Sequence, residues 1–330
     1  MRIVITGGAG FLGTRLARKL LERGTLVDAG GRQQTISSLV LLDVVPPATA
    51  WNDKRVSAVT GDLADPAVIE RAVTSDTASI FHLAAVVSGQ AEADFDIGMR
   101  VNLDATRLLL ERCRRLAAPP KFVFASSLAV FGGPLPDPVP DDAPLTPQAS
   151  YGTQKAIGEL LVYDMTRKGF IDGRSLRLPT VTVRPGKPNK AASGFFSNII
   201  REPLAGEEAV LPVSEDVRHW HASPKSAVGF LLHAGTMDLN AIGPRRNLSM
   251  PGMSVTVGEQ IAALDRVAGK NVTARIKRVP DPTIIGIVSG WPRDFVTDRA
   301  LKLGFTTAEK TFDDIIRIHI EAELGGKFAG

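Results

Sequence analysis

Short apolar runs alternate with amphipathic stretches through the first half of the chain. Residues 2–6, 39–43, 55–60, 79–83, 121–125 and 174–178 are candidate strands. Between most of them, residues 11–23, 66–74, 93–116 and 151–168 space their apolar positions as helices do. Wholly apolar strands separated by such helices predict an α/β fold, a Rossmann-type doubly wound parallel sheet covered on both faces. Its ligands belong in the crevice at the carboxyl edge of the strands. Two segments break the rhythm. Residues 24–38 are polar and contain glycines, and residues 132–149 hold six prolines, which predicts a long surface loop. Beyond Val183 the elements shorten and become irregular. The expected division is a Rossmann-type domain over 1–180, with a return segment near 215–235, and a smaller α+β substrate lobe over 181–330.

Composition narrows the function classes. Hydrophobic residues make up 44% and charged residues 22% of the 330, the mix of a soluble globular protein. Aromatics at 6% are too sparse for a nucleic-acid surface built on stacked rings. The net charge is +4, but the basic residues are dispersed. The densest group, Arg112, Arg114, Arg115 and Lys121, alternates with apolar positions and reads as a solvated helix face. Cys113 is the only cysteine, which excludes an internal disulfide and a CxxC metal site. It falls in a helix-like stretch and reads as a packing residue; no metal is expected. No apolar run reaches the ~18 residues of a membrane span. The chain enters a glycine loop directly after Met1-Arg2-Ile3-Val4-Ile5, without a charged-then-apolar leader, so the expected location is cytoplasmic.

The loop is Thr6-Gly7-Gly8-Ala9-Gly10-Phe11-Leu12-Gly13, between a strand and a helix. Glycines 7, 10 and 13 allow a tight turn and let backbone approach a pyrophosphate at a helix N-terminus, whose free amides favour an anion. The acid expected at the end of the next strand, to bind the adenosine ribose, is Asp43; Asp28 is the rival. A carboxylate there repels a 2′-phosphate, which favours NAD over NADP, although Arg32 lies in the same connection. Asp62, followed by Leu63, is a candidate for the adenine edge or a plain turn former.

Tyr151-Gly152-Thr153-Gln154-Lys155 sets a phenol and an ammonium four residues apart, on one face of a predicted helix. Tyrosine has a reference pKa of ~10, too high for a proton acceptor at neutral pH unless a neighbouring cation lowers it. Upstream, Val123-Phe124-Ala125-Ser126-Ser127 delivers two hydroxyls to the edge of the sheet. Either can steady a substrate oxygen or merely cap a turn.

Together with His82-Leu83-Ala84-Ala85, Asn102 and Val130-Phe131-Gly132, this ordered set resembles the extended short-chain dehydrogenases, which include nucleotide-sugar epimerases and dehydratases. The resemblance spans essentially the whole chain. It implies Ser127, Tyr151 and Lys155 as catalytic residues. For NAD it implies Gly7, Gly10, Phe11, Leu12, Gly13, Asp43, Asp62, Leu63, Leu83, Ala84, Ala85, Asn102, Tyr151, Lys155, Leu178 and Thr180. His82 reads as a hydrogen-bonded core histidine. In many such relatives, helices matching 93–116 and 151–168 form a four-helix dimer interface, so a homodimer is expected.

Departures from the sugar-nucleotide pattern bear on the substrate. Thr180 stands where epimerases carry an asparagine, and Arg218-His219-Trp220-His221 replaces their Arg-Asp-Tyr-Ile-His segment. Leu128-Ala129 follow Ser127 where dehydratases place an Asp-Glu pair, so water elimination lacks its carboxylates. Basic and amide residues in the lobe suit a small anion instead. The lobe segments 184–189, 193–204 and 218–224 resemble a sugar-acid dehydrogenase branch of that family. This resemblance implies an anionic four-carbon sugar acid oxidised at C2 as the substrate, held by Ser126, Ser127, Lys187, Asn198, Arg201 and Arg218. A nucleotide-sugar 4-epimerase is the alternative.

Overall fold

The computed structural model describes residues 1–186 and 192–330. Seven strands form the central sheet: β1 (Arg2–Thr6), β2 (Ser38–Asp43), β3 (Val56–Thr60), β4 (Thr77–His82), β5 (Lys121–Ser127), β6 (Asp172–Leu178) and β7 (Asn247–Ser249). Their spatial order is β7-β6-β5-β4-β1-β2-β3, and every pairing is parallel. The direction of winding reverses between β1 and β4, which leaves a crevice at their carboxyl ends.

Alternation along the strands covers both faces. Ile3, Ile5, Leu39, Leu41 and Phe81 point toward α1 (Phe11–Arg23). Val4, Val40, Leu42, Ile80 and Phe122 point toward α2 (Pro66–Ala72), α3 (Ala105–Arg114) and α4 (Ser150–Arg167). Cys113 is buried in that second face, as a packing residue.

The lobe builds a separate core from α5 (Phe195–Ala205), with Phe196, Ile199 and Ile200, against Leu264 and the helix Phe312–Leu324. The chain returns to the large sheet more extensively than the segment near 215–235 foresees. Helix Pro224–Thr236 buries Val228, Leu231 and Ala234 against the first face, and β7 then adds an edge strand. A three-residue strand is too short to show a period in sequence. None of the described helices is long and apolar enough to cross a membrane.

Three segments differ from their sequence reading in ways that matter to the crevice. Residues 24–38 are largely a hairpin, Thr25–Val27 paired with Gln33–Thr35. The proline-rich loop is fastened rather than loose: Val139 pairs with Phe295, and the Asp141 side chain is buried. The helix expected over 93–116 starts at Phe95, ends at Arg114 and contains a π-helical turn at Met99–Asp104. Such turns widen a helix locally and are frequent at functional sites; here the turn carries Asn102.

Candidate active site

The glycine loop closes the carboxyl end of β1. Gly7 has φ +68, the left-handed region open to glycine. A Cβ on Gly13 would lie 2.2 Å from the Gly7 carbonyl oxygen, so the first turn of α1 sits directly on the loop. Gly8 is also tight, a Cβ there falling 2.8 Å from Leu41, though the spacing of glycines 7, 10 and 13 does not single it out. The N-cap of α1, Gly10, has no side-chain cap and no acid follows in the first turn. That leaves the free amides at the start of this 13-residue helix to an anion. Phe11 and Leu12 open the helix, partly buried. Asp43 ends β2, and its Oδ2 accepts from the Ala9 amide at 3.0 Å, which holds the carboxylate against the loop. The residues present therefore fit a dinucleotide.

The rival acid is committed elsewhere. Asp28 accepts from the Gly30 and Arg32 amides at 3.0 and 2.9 Å and pairs with the Arg32 side chain, so both residues organise the hairpin turn. Asp62 is likewise a turn former: it accepts from the Ala64 amide at 2.9 Å and pairs with Arg100, with Leu63 buried beside it.

Beyond β4, Leu83 and Ala84 donate their amides to Thr6 Oγ1, each at 3.2 Å. A Cβ on Gly7 would meet the Ala84 nitrogen at 2.9 Å, so this segment and Ala85 line the far side of the loop. His82 sits beneath. Its Nε2 lies 2.8 Å from Thr106 Oγ1, which donates to the Asn102 carbonyl and so must accept from the ring. Thr6 then donates to Nδ1 at 2.7 Å. Burial lowers its pKa to about 3, leaving a neutral core histidine. Asn102 spends its carboxamide on protein: it accepts from the Val86 amide at 2.9 Å and donates to Gln154 Oε1 at 2.8 Å. It ties the Ala85–Val86 segment to α4 rather than presenting a free amide to a ligand.

The phenol–ammonium pair lies on α4. A Cβ on Gly152 would fall 2.0 Å from the Ala129 carbonyl oxygen, so only glycine lets the first turn of α4 rest on the turn Leu128–Val130 that follows Ser127. Gly152 is thus a site residue that the motif contains but side-chain chemistry does not flag. Ser127 accepts from the Ala129 amide at 3.1 Å, capping that turn, and its hydroxyl opposes the rise in the Tyr151 pKa. The alternatives of cap and substrate contact are both open to one hydroxyl.

Lys155 donates to the Ala125 carbonyl at 2.9 Å and lies 5.6 Å from the Tyr151 ring centre. Burial lowers its pKa to about 8, opposed by the Glu159 charge. Burial raises the Tyr151 phenol, opposed by the Arg184 guanidinium and then by the Ser127 hydroxyl. The cation expected to act on the phenol is Lys155; the charge that bears on it in the folded chain is Arg184.

Several expected substrate contacts are corrected. Ser126, next to Ser127 on β5, points to the opposite face, as successive strand residues do. It donates to Glu159 Oε1 at 2.6 Å, inside a network where Glu159 also accepts from Arg177 Nη2 at 2.8 Å and Asn247 at 2.9 Å. Arg218 is occupied by Asp137 in the proline-rich loop, with Asp294 at 3.9 Å. Asn198 and Arg201 are brought together, Arg201 donating to Asn198 Oδ1 at 2.8 Å and pairing with Glu202. Thr180 follows Leu178 at the end of β6, but its hydroxyl bonds His219 Nε2 at 2.7 Å. Lys187 lies outside the described residues.

Comparison with known proteins places this geometry. A curated D-erythronate dehydrogenase from Cupriavidus necator is 54% identical over 321 residues, 97% of this chain and 98% of the relative. One from Haemophilus influenzae is 44% identical over 324 residues, covering 98% and 100%. A crystal structure described as a nucleoside-diphosphate-sugar epimerase from Agrobacterium tumefaciens superposes with a TM-score of 0.92 at 53% identity, covering 99% and 95%. L-threonine 3-dehydrogenase from Trypanosoma brucei shares the fold, at 22% identity and a TM-score of 0.85. The family model for the NAD dependent epimerase/dehydratase family matches residues 3–224. With its glycine loop, acid-ended second strand and Ser127–Tyr151 pair in one crevice, the chain belongs to the NAD dependent epimerase/dehydratase family.

Proposed function

We propose that this chain is an NAD-dependent dehydrogenase that oxidises D-erythronate at its C2 hydroxyl to the 2-oxo acid. Near-full-length identity of 54% and 44% to two D-erythronate dehydrogenases carries the reading. The cleft supports it chemically. Bound NAD supplies the hydride acceptor and, at its ring, a positive charge. Tyr151 takes the hydroxyl proton as the C2 hydrogen leaves with its electron pair, so the alcohol becomes a ketone. Ser127 donates to the same substrate oxygen and steadies it. Lys155, held by the Ala125 carbonyl, sits beside the Tyr151 ring, and the Arg184 guanidinium opposes the upward push of burial on the phenol. Holding acceptor, base and hydroxyl in register supplies much of the rate.

For cofactor contacts, the reading keeps the Gly7–Gly13 loop, Asp43, residues 83–85 and the neighbourhood of Leu178. It assigns Asn102 and Thr180 supporting roles, consistent with their occupied side chains. The cofactor domain ends near residue 180 and the lobe follows, with the return through Pro224–Thr236 and β7. The enzyme works in the cytoplasm as a homodimer. Phe95, Leu160 and Tyr163 are apolar side chains left 60%, 62% and 42% exposed near and on α4, and a second copy would cover them.

The Agrobacterium protein's description keeps a second reading in view, a nucleotide-sugar epimerase. Purified enzyme incubated with NAD separates them. NADH formation with D-erythronate, and no interconversion of UDP-sugars, is the expected result. Sugar interconversion without tetronate oxidation would overturn it. A single monomer peak in light scattering at micromolar concentration would overturn the dimer.

A further inference from the structure

Three arginines of the lobe approach the cleft, and their partners separate them. Arg218 pairs with Asp137, and Arg201 with Glu202. Arg184 has no carboxylate within ion-pair distance among the described residues. Its Nη2 donates to Ser193 Oγ at 2.9 Å and its Nε toward the Val181 carbonyl at 3.4 Å. Its amide is bound to Ser197 Oγ at 3.0 Å, and its carbonyl accepts from Arg201 Nη1 at 2.8 Å. All these partners are neutral or cationic. Residues 187–191 read Lys-Pro-Asn-Lys-Ala, so they contribute no acid either. Burial disfavours the charge of the guanidinium, opposed by the Tyr151 phenol and reinforced by Arg201. A partly buried cation fixed by hydrogen bonds but lacking a counter-ion is costly to keep. Its neutraliser must come from outside the chain.

Its position says which anion. In a 2-hydroxy acid, the carboxylate and the reacting hydroxyl sit on adjacent carbons. A cation that holds the carboxylate must therefore neighbour the group that takes the hydroxyl proton. Arg184 meets that requirement: its segment leaves the carboxyl end of β6, whose last residue, Leu178, pairs with Ser127, and its positive charge acts on the Tyr151 phenol. An anchor further off would bring the C3 or C4 hydroxyl to the phenol instead. A guanidinium also offers two parallel donors, the geometry that a carboxylate accepts.

We propose that Arg184 is the counter-ion of the substrate carboxylate, and that its place beside Tyr151 selects the C2 hydroxyl for oxidation. The inference rests on the dehydrogenase reading and adds the residue that recognises the acid. Ser193, Ser197 and Arg201 are then positioning residues that hold the guanidinium and its backbone.

The test compares Arg184→Gln, Arg184→Lys and Arg218→Gln with the wild type. Steady-state rates are measured with D-erythronate and with its neutral amide, and NADH binding by fluorescence. Arg184→Gln is expected to raise KM for the acid roughly 10²-fold, the scale for losing one partner of a desolvated charge pair. It should leave the amide little affected, so the preference for acid over amide collapses. Arg184→Lys should keep part of that preference, Arg218→Gln nearly all of it, and NADH binding should persist. Wild-type preference in Arg184→Gln, or an equal collapse in Arg218→Gln, overturns the inference. If the glutamine variant loses NADH binding through misfolding, the lysine variant decides: full wild-type preference there overturns it. A wild-type enzyme inert toward D-erythronate fails the functional reading and the inference together; an active wild type with an indifferent Arg184→Gln fails the inference alone.

Discussion

The two walls of the crevice are made in different ways. The cofactor wall is backbone: a glycine loop, the bare N-terminus of α1, and the main chain beyond β4, with Asp43 as its one contributed charge. The substrate wall is side chain: Tyr151 and Ser127, with Arg184 held by residues of the lobe. A backbone site needs little more than residues that stay out of the way, and its parts lie close in sequence. A side-chain site depends on partners far along the chain, and residues of identical type acquire different roles. Arg184, Arg201 and Arg218 are alike as letters and differ by which acid, if any, lies within reach.

If the walls are independent, damage to one should spare the other. The largest separation is expected from Tyr151→Phe. Turnover should fall by ~10²–10⁴, the range for removing a general base, while the NADH dissociation constant stays near wild type. Near-normal turnover would remove the phenol from the chemistry. Next comes Glu159→Gln, below the substrate wall. Glu159 and Arg177 are 1% and 2% exposed, so the change strands a buried guanidinium and should cost about 3–5 kcal/mol in chemical denaturation. A loss below ~1 kcal/mol, the scale of an exposed pair, would mean the network is not coupled. The smallest effect tests the cofactor wall. Gly13→Ala places a methyl 2.2 Å from the Gly7 oxygen, whereas Gly10→Ala has 3.2 Å to the same atom. Overpacking of the first kind costs about 1–3 kcal/mol. Calorimetry should show Gly13→Ala weakening NAD more than Gly10→Ala, with the reverse order refuting the packing argument.

Legibility followed the same divide. The parallel sheet could be read because β1, β2, β4 and β5 are apolar on both faces, and the glycine loop because its spacing is local. Tyr151 and Lys155 could be placed on one helix face because four residues make a turn. Ser126 could not be told from Ser127, since register within the last turn of β5 decides which hydroxyl faces the cleft and which meets Glu159. The π-helical turn within the helix over 93–116 was hidden because Asn102, which it carries, is held by Val86 and Gln154, the latter 52 residues away. Gly152 was in plain view but carries no side chain to advertise its contact with Ala129.

The sequence by itself determined the fold class, the glycine loop with its acid, and the phenol proposed as proton acceptor. Each follows from spacing within one strand, one turn or one helix, where covalent geometry alone fixes what is near what. Only the tertiary structure decided which cations are spent. Arg218 meets Asp137 across 81 residues, and Arg184 meets Ser193 and Ser197 but, among the described residues, no acid. A charge's availability is a property of its neighbours in space, because pairing and desolvation act over a few ångströms, and the chain brings those neighbours together only by folding.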